Sequence, residues 1–210
     1  MLLVKICGIT RLEDADAAID AGAHALGFVF WPKSPRFIDP YRAREIVRAL
    51  PSFVTPVGVF VNQSPEEVSA IASLVQLGAV QLHGDEPVAD VEALRRPVIK
   101  ALTLAAAENG RLDDWPQRVT VLLDVHDTER RGGTGRTIDW TAAASVASRR
   151  RIVLAGGLTP ENVTAAVTVV RPFGIDVSSG VERAPGVKDH ARIRTLFENL
   201  HAISHLTSRS

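Results

Sequence analysis

The sequence predicts a single closed (β/α)8 barrel, because strand-like and helix-like segments alternate along the chain and eight strand-like segments can be counted. Eight units in 210 residues give about 25 residues per unit, near the lower end of the range for this fold. A doubly wound open sheet is the alternative, but eight strand signals favour closure. No linker or shift in composition divides the chain, so we expect one domain over residues 1–210, with a frayed tail from about residue 201.

Eight short apolar runs are the predicted strands. They are rich in Val, Ile and Leu and are bounded by Gly, Asp or Pro, which is typical of buried parallel strands. The runs are Leu3–Cys7, Ala25–Phe30, Thr55–Val61, Ala79–His83, Val98–Leu102, Val119–Asp124, Ile152–Ala155 and Gly174–Ser178.

Cap residues mark where the predicted helices begin. Thr10 with Glu13, and Ser64 with Glu67, have the spacing of a capping box. The fifth crossover contains Asn109-Gly110, so we expect its helix to be short. A cap residue also precedes a proline at Asp39-Pro40, Ser64-Pro65 and Thr159-Pro160.

The composition excludes several classes of protein. The 24 Lys and Arg residues balance the 24 Asp and Glu residues, so we expect neither a nucleic-acid partner nor a membrane surface as partner. The single cysteine, Cys7, excludes an intrachain disulfide and a Cys-cluster metal site. A reducing environment suits a lone cysteine, and the sequence shows neither a signal-peptide pattern nor an apolar stretch of 18 residues. We therefore expect a cytoplasmic protein.

Polar side chains share one face of several predicted strands. Successive strand side chains point to opposite faces, and in a closed barrel one face points inward. Because the wholly apolar face must pack on the helices, we expect the polar face to point to the barrel axis. Three of these charges could equally form an internal ion-pair network without chemistry, namely Lys5, Lys100 and Asp176. The inward set is Lys5, Cys7, Gln81, His83, Lys100, Asp124, Asp176 and Ser178.

Four members of this set end their strands, at the rim where barrel active sites form: Cys7, His83, Asp124 and Ser178. Each candidate has an ordinary alternative. Cys7 could be a small buried hydrophobe, Asp124 a helix cap and His83 a hydrogen-bonded rim residue. Arg36, in the loop after the second strand, could be a solvated surface charge.

Glycine-rich loops follow the last three predicted strands. Glycines let backbone N–H groups approach an anion closely, and barrels commonly bind phosphate after strands seven and eight. The first half of the chain has no Gly-Gly pair, which favours a substrate with one phosphate. The residues that we expect in these loops to bind substrate are Gly133, Gly156, Gly157, Ser178, Ser179 and Gly180.

The motifs that carry these residues resemble those of the phosphoribosylanthranilate isomerase family, in the expected order from about Val4 to Asp189. The resemblance implies a TIM-barrel enzyme of tryptophan biosynthesis. Such an enzyme converts a phosphorylated small molecule by an Amadori rearrangement, without cofactor or metal, to the 1-deoxyribulose phosphate derivative of anthranilate. The matching segments are Lys5–Thr10, Gly27–Phe30, Ser34–Arg36, Val59–Asn62, Val80–Gly84, Leu122–Asp124, Gly132–Gly135, Gly156–Val163 and Asp176–Glu182.

The resemblance also implies roles for single residues. Cys7 matches the general base, Asp124 the general acid and Arg36 the residue that binds the anthranilate carboxylate. The backbone around Gly157, Ser179 and Gly180 matches the phosphate site.

Two further expectations concern the surroundings of this site. We expect His83 and Asp176 among the substrate-binding residues. We also expect the Lys5 ammonium, on the same strand face as Cys7, to lower the pKa of the thiol. The sequence leaves the oligomeric state open between monomer and homodimer.

Two other functions fit parts of the pattern. The histidine-pathway aldose–ketose isomerase barrel performs the same rearrangement, but with two aspartates and on a substrate with two phosphates. The position of Cys7 and the one-sided glycine pairs disfavour it. A non-catalytic sugar-phosphate-binding barrel would keep the glycine loops, but this chain also carries a matching base, acid and arginine.

Overall fold

The computed structural model describes residues 2–124 and 140–207. Its centre is a closed barrel in which each parallel strand pairs with the next and the eighth pairs with the first, so the predicted (β/α)8 fold is confirmed. The strands are β1 (Leu3–Cys7), β2 (Ala25–Val29), β3 (Thr55–Phe60), β4 (Ala79–Leu82), β5 (Val98–Thr103), β6 (Thr120–Asp124), β7 (Ile152–Ala155) and β8 (Gly174–Val177).

Helices surround this barrel, and none among the described residues is both long and apolar enough to cross a bilayer. As expected, the fifth helix is short: it passes into a π-helical turn with non-helical dihedral angles at Asn109 and Gly110. The helices are α1 (Leu12–Ala21), α2 (Pro40–Ala49), α3 (Pro65–Val75), α4 (Ala89–Ala93), α5 (Leu104–Ala106), α6 (Trp140–Arg149), α7 (Val163–Val170) and α8 (His190–Thr207).

Helix α8 continues past residue 201, where the sequence predicts a frayed tail. The reason is packing, because Leu200 is buried and Ile203, three residues on, packs against the same core. Between β8 and α8 the chain makes a 3₁₀ turn (Ser179–Val181) and a small hairpin, with strands β9 (Glu182–Ala184) and β10 (Val187–Lys188).

Two of the predicted helix caps form. Asp39 Oδ1 accepts hydrogen bonds from the first backbone N–H groups of α2, and Ser64 Oγ accepts one from Glu67 N at 3.2 Å. The Glu67 carboxylate does not close the box and instead accepts a bond from Gln63 Nε2. These caps fix the entries to α2 and α3.

Two other predicted caps, at Thr10 and Thr159, are wrong. The Thr10 side chain bonds elsewhere in the fold, and the helix after Thr159 begins later than predicted. The Thr10 hydroxyl donates to the Gly186 carbonyl in the β9–β10 hairpin, and Arg11 stands at the start of α1 without a capping side chain. Helix α7 begins at Val163, after Asn162, whose Oδ1 accepts a bond from Thr159 N. The Thr159-Pro160 pair therefore lies in the loop before the helix.

The buried strand side chains divide as the period of two predicts for β1, β4, β6 and β8. One set packs with the helices in a large core, and it includes Ile6, Leu82, Leu123 and Val177. The opposite set points into the barrel, where Cys7 packs with Val29 and Val59. The polar candidates of these strands therefore face the axis.

Strand β5 is the exception, and the predicted inward position of Lys100 is wrong. Its neighbours of the same parity, Val98 and Leu102, belong to the helix-facing core, whereas Ala101 packs inside the barrel with Leu122. Lys100 Nζ instead forms a buried ion pair with Glu86 Oε2 at 2.6 Å. This pair ties β5 to the loop after β4 and is separate from the ion pair inside the barrel.

Candidate active site

A pocket of about 480 Å³ opens at the carboxyl end of the barrel. Side chains and backbone from the ends of seven strands converge there, which is the usual place of active sites in this fold. Gly133 lies outside the described residues, and Gly180 is the neighbour of a lining residue. The expected site residues that line the pocket are Cys7, Arg36, His83, Asp124, Gly156, Gly157, Asp176, Ser178 and Ser179.

The Cys7 thiol lies beside a buried ion pair. Lys5 Nζ and Asp176 Oδ1 are 2.9 Å apart, and both side chains are less than one tenth exposed. Burial raises the pKa of the Cys7 thiol above its ordinary value, and the positive charges of Lys5 and Lys188 oppose that rise. The Lys5 ammonium therefore acts in the expected direction, but burial outweighs it.

Glycine at position 27 makes room for this thiol. A Cβ atom there would lie 2.6 Å from Cys7 Sγ, closer than real Cβ atoms come, and would make a tight contact of 3.1 Å with Lys5 Cε. Gly27 pairs with Cys7 in the β1–β2 register. The strand next to the thiol thus supplies space, while Lys5 supplies charge.

The backbone of Cys7 is held from β8 and the hairpin. Ser178 Oγ donates to the Cys7 carbonyl at 3.1 Å, so this hydroxyl supports the β1 end and does not point freely into the pocket. Lys188 Nζ also donates to the Cys7 carbonyl and, at 3.2 Å, to the Ser178 carbonyl. Burial lowers the pKa of Lys188 despite its pairing with Glu182.

Asp124 ends β6 and faces a histidine across the pocket. Its Oδ2 lies 3.6 Å from His83 Nε2. The other ring nitrogen, His83 Nδ1, lies 2.8 Å from the Gln81 amide nitrogen. With that amide donating to Nδ1, the neutral ring carries its proton on Nε2, on the side of Asp124.

Arg36 reaches the same rim from the loop after β2. Its Nε and Nη2 atoms donate to Glu182 at 2.9 and 2.7 Å, a two-pronged pair in which the carboxylate is almost fully buried. This pairing raises the pKa of Arg36, so the guanidinium is permanently charged. Arg36 is therefore a built part of the pocket and not a solvated loop charge.

The loops after β7 and β8 pack tightly enough to form one cradle. Gly156 and Gly157 have φ values of 95° and 67°, which favour glycine. A Cβ atom on Gly180 would lie 1.9 Å from the Leu158 carbonyl oxygen, so only glycine allows the two loops to meet. Asn162 Nδ2 donates to the Gly157 carbonyl at 3.0 Å and fixes the first loop. Backbone N–H groups held this way suit an anion such as phosphate.

Comparison with known proteins agrees with this geometry. The family model described as N-(5′-phosphoribosyl)anthranilate (PRA) isomerase matches residues 4–199. The chain belongs to the phosphoribosylanthranilate isomerase family. The resemblance seen in its motifs is thereby confirmed.

Individual members of the phosphoribosylanthranilate isomerase family are close to this chain throughout their length. The N-(5′-phosphoribosyl)anthranilate isomerase of Pseudomonas fluorescens is 51% identical over 195 residues, which cover 92% of this chain and 95% of that protein.

Two solved structures of the phosphoribosylanthranilate isomerase family also match. One is a complex with reduced 1-(o-carboxyphenylamino)-1-deoxyribulose 5-phosphate (TM-score 0.85, 46% identity, 96% of this chain and 100% of that one). The other shows monomers of the dimeric enzyme from Thermotoga maritima (TM-score 0.84, 45% identity, with the same coverage).

Sequence reasoning missed three groups of the site in this member of the phosphoribosylanthranilate isomerase family. Glu182 pairs with Arg36, and Lys188 pairs with Glu182 and donates to the Cys7 carbonyl. The only sequence signal for Glu182 is its place in the last matching motif. Trp31 lies in an apolar wall with Val29, Val59 and Val61. An apolar run that continues past a strand end into a tryptophan is a signal for such a wall.

Proposed function

We propose that the chain catalyses the Amadori rearrangement of N-(5-phosphoribosyl)anthranilate to 1-(2-carboxyphenylamino)-1-deoxyribulose 5-phosphate, in tryptophan biosynthesis. The observation that carries this proposal is the shared pocket, in which Cys7 and Asp124 line the same space as the glycine cradle. A base, an acid and an anion site within one cavity are what the rearrangement requires.

In the first step of the proposed mechanism, Asp124 is the general acid. The protonated carboxyl donates to the ring oxygen of the aminofuranose, the C1′–O bond breaks, and the nitrogen lone pair forms a Schiff base with C1′. His83, 3.6 Å away, orients the carboxyl and stabilises the carboxylate that remains. The pocket side of Asp124 is open to substrate, since its side chain is 28% exposed.

In the second step Cys7 is the general base. Its thiolate removes the proton from C2′, which gives an enolamine, and return of a proton to C1′ with loss of the O2′ proton yields the ketone. Burial favours the neutral thiol, so the active thiolate is the minor form at neutral pH. Lys5 and Lys188 supply the positive charge that offsets part of this cost.

Substrate binding divides among three parts of the pocket. The phosphate lies in the cradle at Gly156, Gly157, Ser179 and Gly180. The aryl ring packs on the apolar wall that contains Trp31, and its carboxylate pairs with Arg36. Asp176 remains a proposed substrate neighbour, although its carboxylate already pairs with Lys5.

The remaining expectations are also proposals. The reaction as written needs neither cofactor nor metal, because every step moves only protons and electron pairs. We propose a cytoplasmic location and no nucleic-acid or membrane partner. For the assembly we propose a monomer or a homodimer.

A fluorescence assay tests the proposed activity. Purified protein is mixed with phosphoribosylanthranilate, and the loss of anthranilate fluorescence is followed; we expect turnover. A parallel assay uses the bisphosphate substrate of the histidine-pathway isomerase. Turnover of that compound alone would favour the histidine-pathway alternative, and binding of either compound without turnover would favour a non-catalytic barrel.

A further inference from the structure

Arg36 keeps one edge of its guanidinium for another partner. The planar group has two edges that can each form a pair of parallel hydrogen bonds, one with Nε and Nη2 and the other with Nη1 and Nη2. Glu182 occupies the first edge, with contacts of 2.9 Å from Nε and 2.7 Å from Nη2. No hydrogen bond from Nη1 is found among the described residues, and Arg36 lines the pocket, so the Nη1–Nη2 edge is available for a second carboxylate there.

Glu182 is itself held rigidly. Its Oε1 atom accepts bonds from Lys188 Nζ at 2.8 Å and from Gly186 N at 3.3 Å, and its side chain is 4% exposed. Burial opposes the charged form, but Arg36 and Lys188 together hold the pKa of Glu182 below its ordinary value. The carboxylate therefore stays charged and in one position.

The charges of this cluster leave one positive charge unbalanced. Arg36 and Lys188 carry two positive charges, and Glu182 carries one negative charge between them. A substrate with one carboxylate balances the cluster. Lys188 also donates a hydrogen bond to the Cys7 carbonyl, so it connects Glu182 with the end of β1.

We propose that Glu182 is a positioning residue that fixes Arg36 so that its Nη1–Nη2 edge binds the carboxylate on the substrate's aromatic ring. This proposal rests on the proposed function, which supplies that substrate. Glu182 acts through Arg36 and through the rigidity that Lys188 gives it. It determines specificity for an aryl carboxylate without contact with the substrate.

Two possible roles of Glu182 predict opposite effects of Glu182→Gln on ligand affinity. In one, Glu182 acts only through its charge, and in the other it positions Arg36. The change removes a negative charge next to the proposed carboxylate site, so charge alone predicts tighter binding of an anionic ligand. Positioning predicts weaker binding, because the amide no longer holds both guanidinium nitrogens and the arginine loses its fixed orientation.

The test measures the dissociation constants of two probes by titration calorimetry. One is reduced 1-(o-carboxyphenylamino)-1-deoxyribulose 5-phosphate, and the other is the same compound without the ring carboxylate. For Glu182→Gln we expect the carboxylated probe to bind about ten- to a hundredfold more weakly, the range for a charged hydrogen-bonded contact. We expect the other probe to change by less than about twofold. KM should rise with little change in kcat.

Two further variants complete the design. Glu45→Gln is the control, because Glu45 lies on α2 in an exposed pair with Arg48 and should leave both constants unchanged. Glu182→Asp keeps the charge but shortens the side chain, so it should weaken only the carboxylated probe and by less than Glu182→Gln. It serves as the test if the Gln variant does not fold.

Each outcome has one meaning. Equal weakening of both probes, no weakening, or tighter binding of the carboxylated probe would overturn the role of Glu182. If the wild-type protein did not discriminate between the probes, Arg36 would not bind the ring carboxylate and this proposal would fail, whereas a lack of phosphoribosylanthranilate turnover would overturn the proposed function itself.

Discussion

Replacement of Lys5 by Met should cost both stability and thiol reactivity. The change removes the ammonium 2.9 Å from Asp176 and leaves a carboxylate of low exposure without its counter-charge. With an effective dielectric constant of about 20, the attraction lost is about 6 kcal/mol. Dehydration of both charges offsets part of it, and removal of one partner from a buried pair typically costs about 3–5 kcal/mol. For a domain of this size we expect Tm to fall by about 6–20 °C.

The same variant should move the pH dependence of catalysis. Burial already raises the pKa of Cys7, and Lys5 opposes that rise, so loss of Lys5 raises the pKa further. Because the base must be deprotonated, the rise of kcat/KM with pH should shift to higher pH. Calorimetry gives Tm, and the anthranilate fluorescence assay at each pH gives the profile.

A double variant separates the two effects. Lys5→Met with Asp176→Asn removes both charges and should recover most of the lost stability, because no buried charge is left unpaired. An unchanged Tm in the single variant would refute the stability argument. An unchanged pH profile would show that the ammonium does not act on the thiol.

Three other predictions follow from the site and its supports. Cys7→Ala and Asp124→Asn should each lower kcat by about two to four orders of magnitude, the usual contribution of a positioned base or acid; near-normal turnover in either variant removes that residue from the mechanism. Gly180→Ala should raise KM about tenfold or more in steady-state assays, because a Cβ 1.9 Å from the Leu158 oxygen forces the phosphate loops apart; an unchanged KM would show that the loops tolerate the shift. Glu86→Gln should lower Tm at pH 7 by about 6–20 °C through the unpaired Lys100. Burial opposes the charged form of Glu86, but Lys100 and backbone N–H groups hold its pKa below 4.5. The wild type therefore keeps the stability from this pair above about pH 4.5 and loses it as the pH falls, whereas the variant should lack that loss. Parallel curves of Tm against pH for the wild type and the variant would contradict this account.

The barrel could be predicted because its evidence is local and repeated. Each strand carries its own apolar run, and the parity of β1 separates Lys5 and Cys7 from Val4 and Ile6 without knowledge of any neighbour. The rim residues follow from the same parity and from their position at strand ends. The Cys7 and Asp124 positions were found in this way.

Strand β5 shows where this reasoning stops. Its run Val98–Thr103 has apolar residues on both faces, so the period of two does not decide which face Lys100 takes. The deciding contact is Glu86, in the loop after β4, together with the ring of Trp115, 5.4 Å from the ammonium. Both partners are brought near by the fold and leave no pattern next to Lys100 in the chain.

The two predicted capping boxes also show that a tertiary contact can override a local sequence pattern. Thr10 with Glu13 and Ser64 with Glu67 have identical spacing, yet only Ser64 caps its helix. The Thr10 hydroxyl bonds to Gly186, 176 residues away. Glu182 and Lys188 were missed for a related reason, since each also contacts a residue distant in the chain: Glu182 pairs with Arg36, and Lys188 donates to the Cys7 carbonyl.

The pairing of β1 with β8 has a consequence for synthesis on the ribosome. Of the eight barrel strands, β1 is synthesised first, but one of its two edges pairs with the last strand, at Gly174–Val177, and the Lys188 partner of the Cys7 carbonyl is synthesised later still. Until then the nascent chain exposes an unpaired strand edge, a surface on which other chains can add. The protein therefore pairs this exposed edge only when its last barrel strand has been synthesised, and completes the surroundings of Cys7 only after the hairpin that follows.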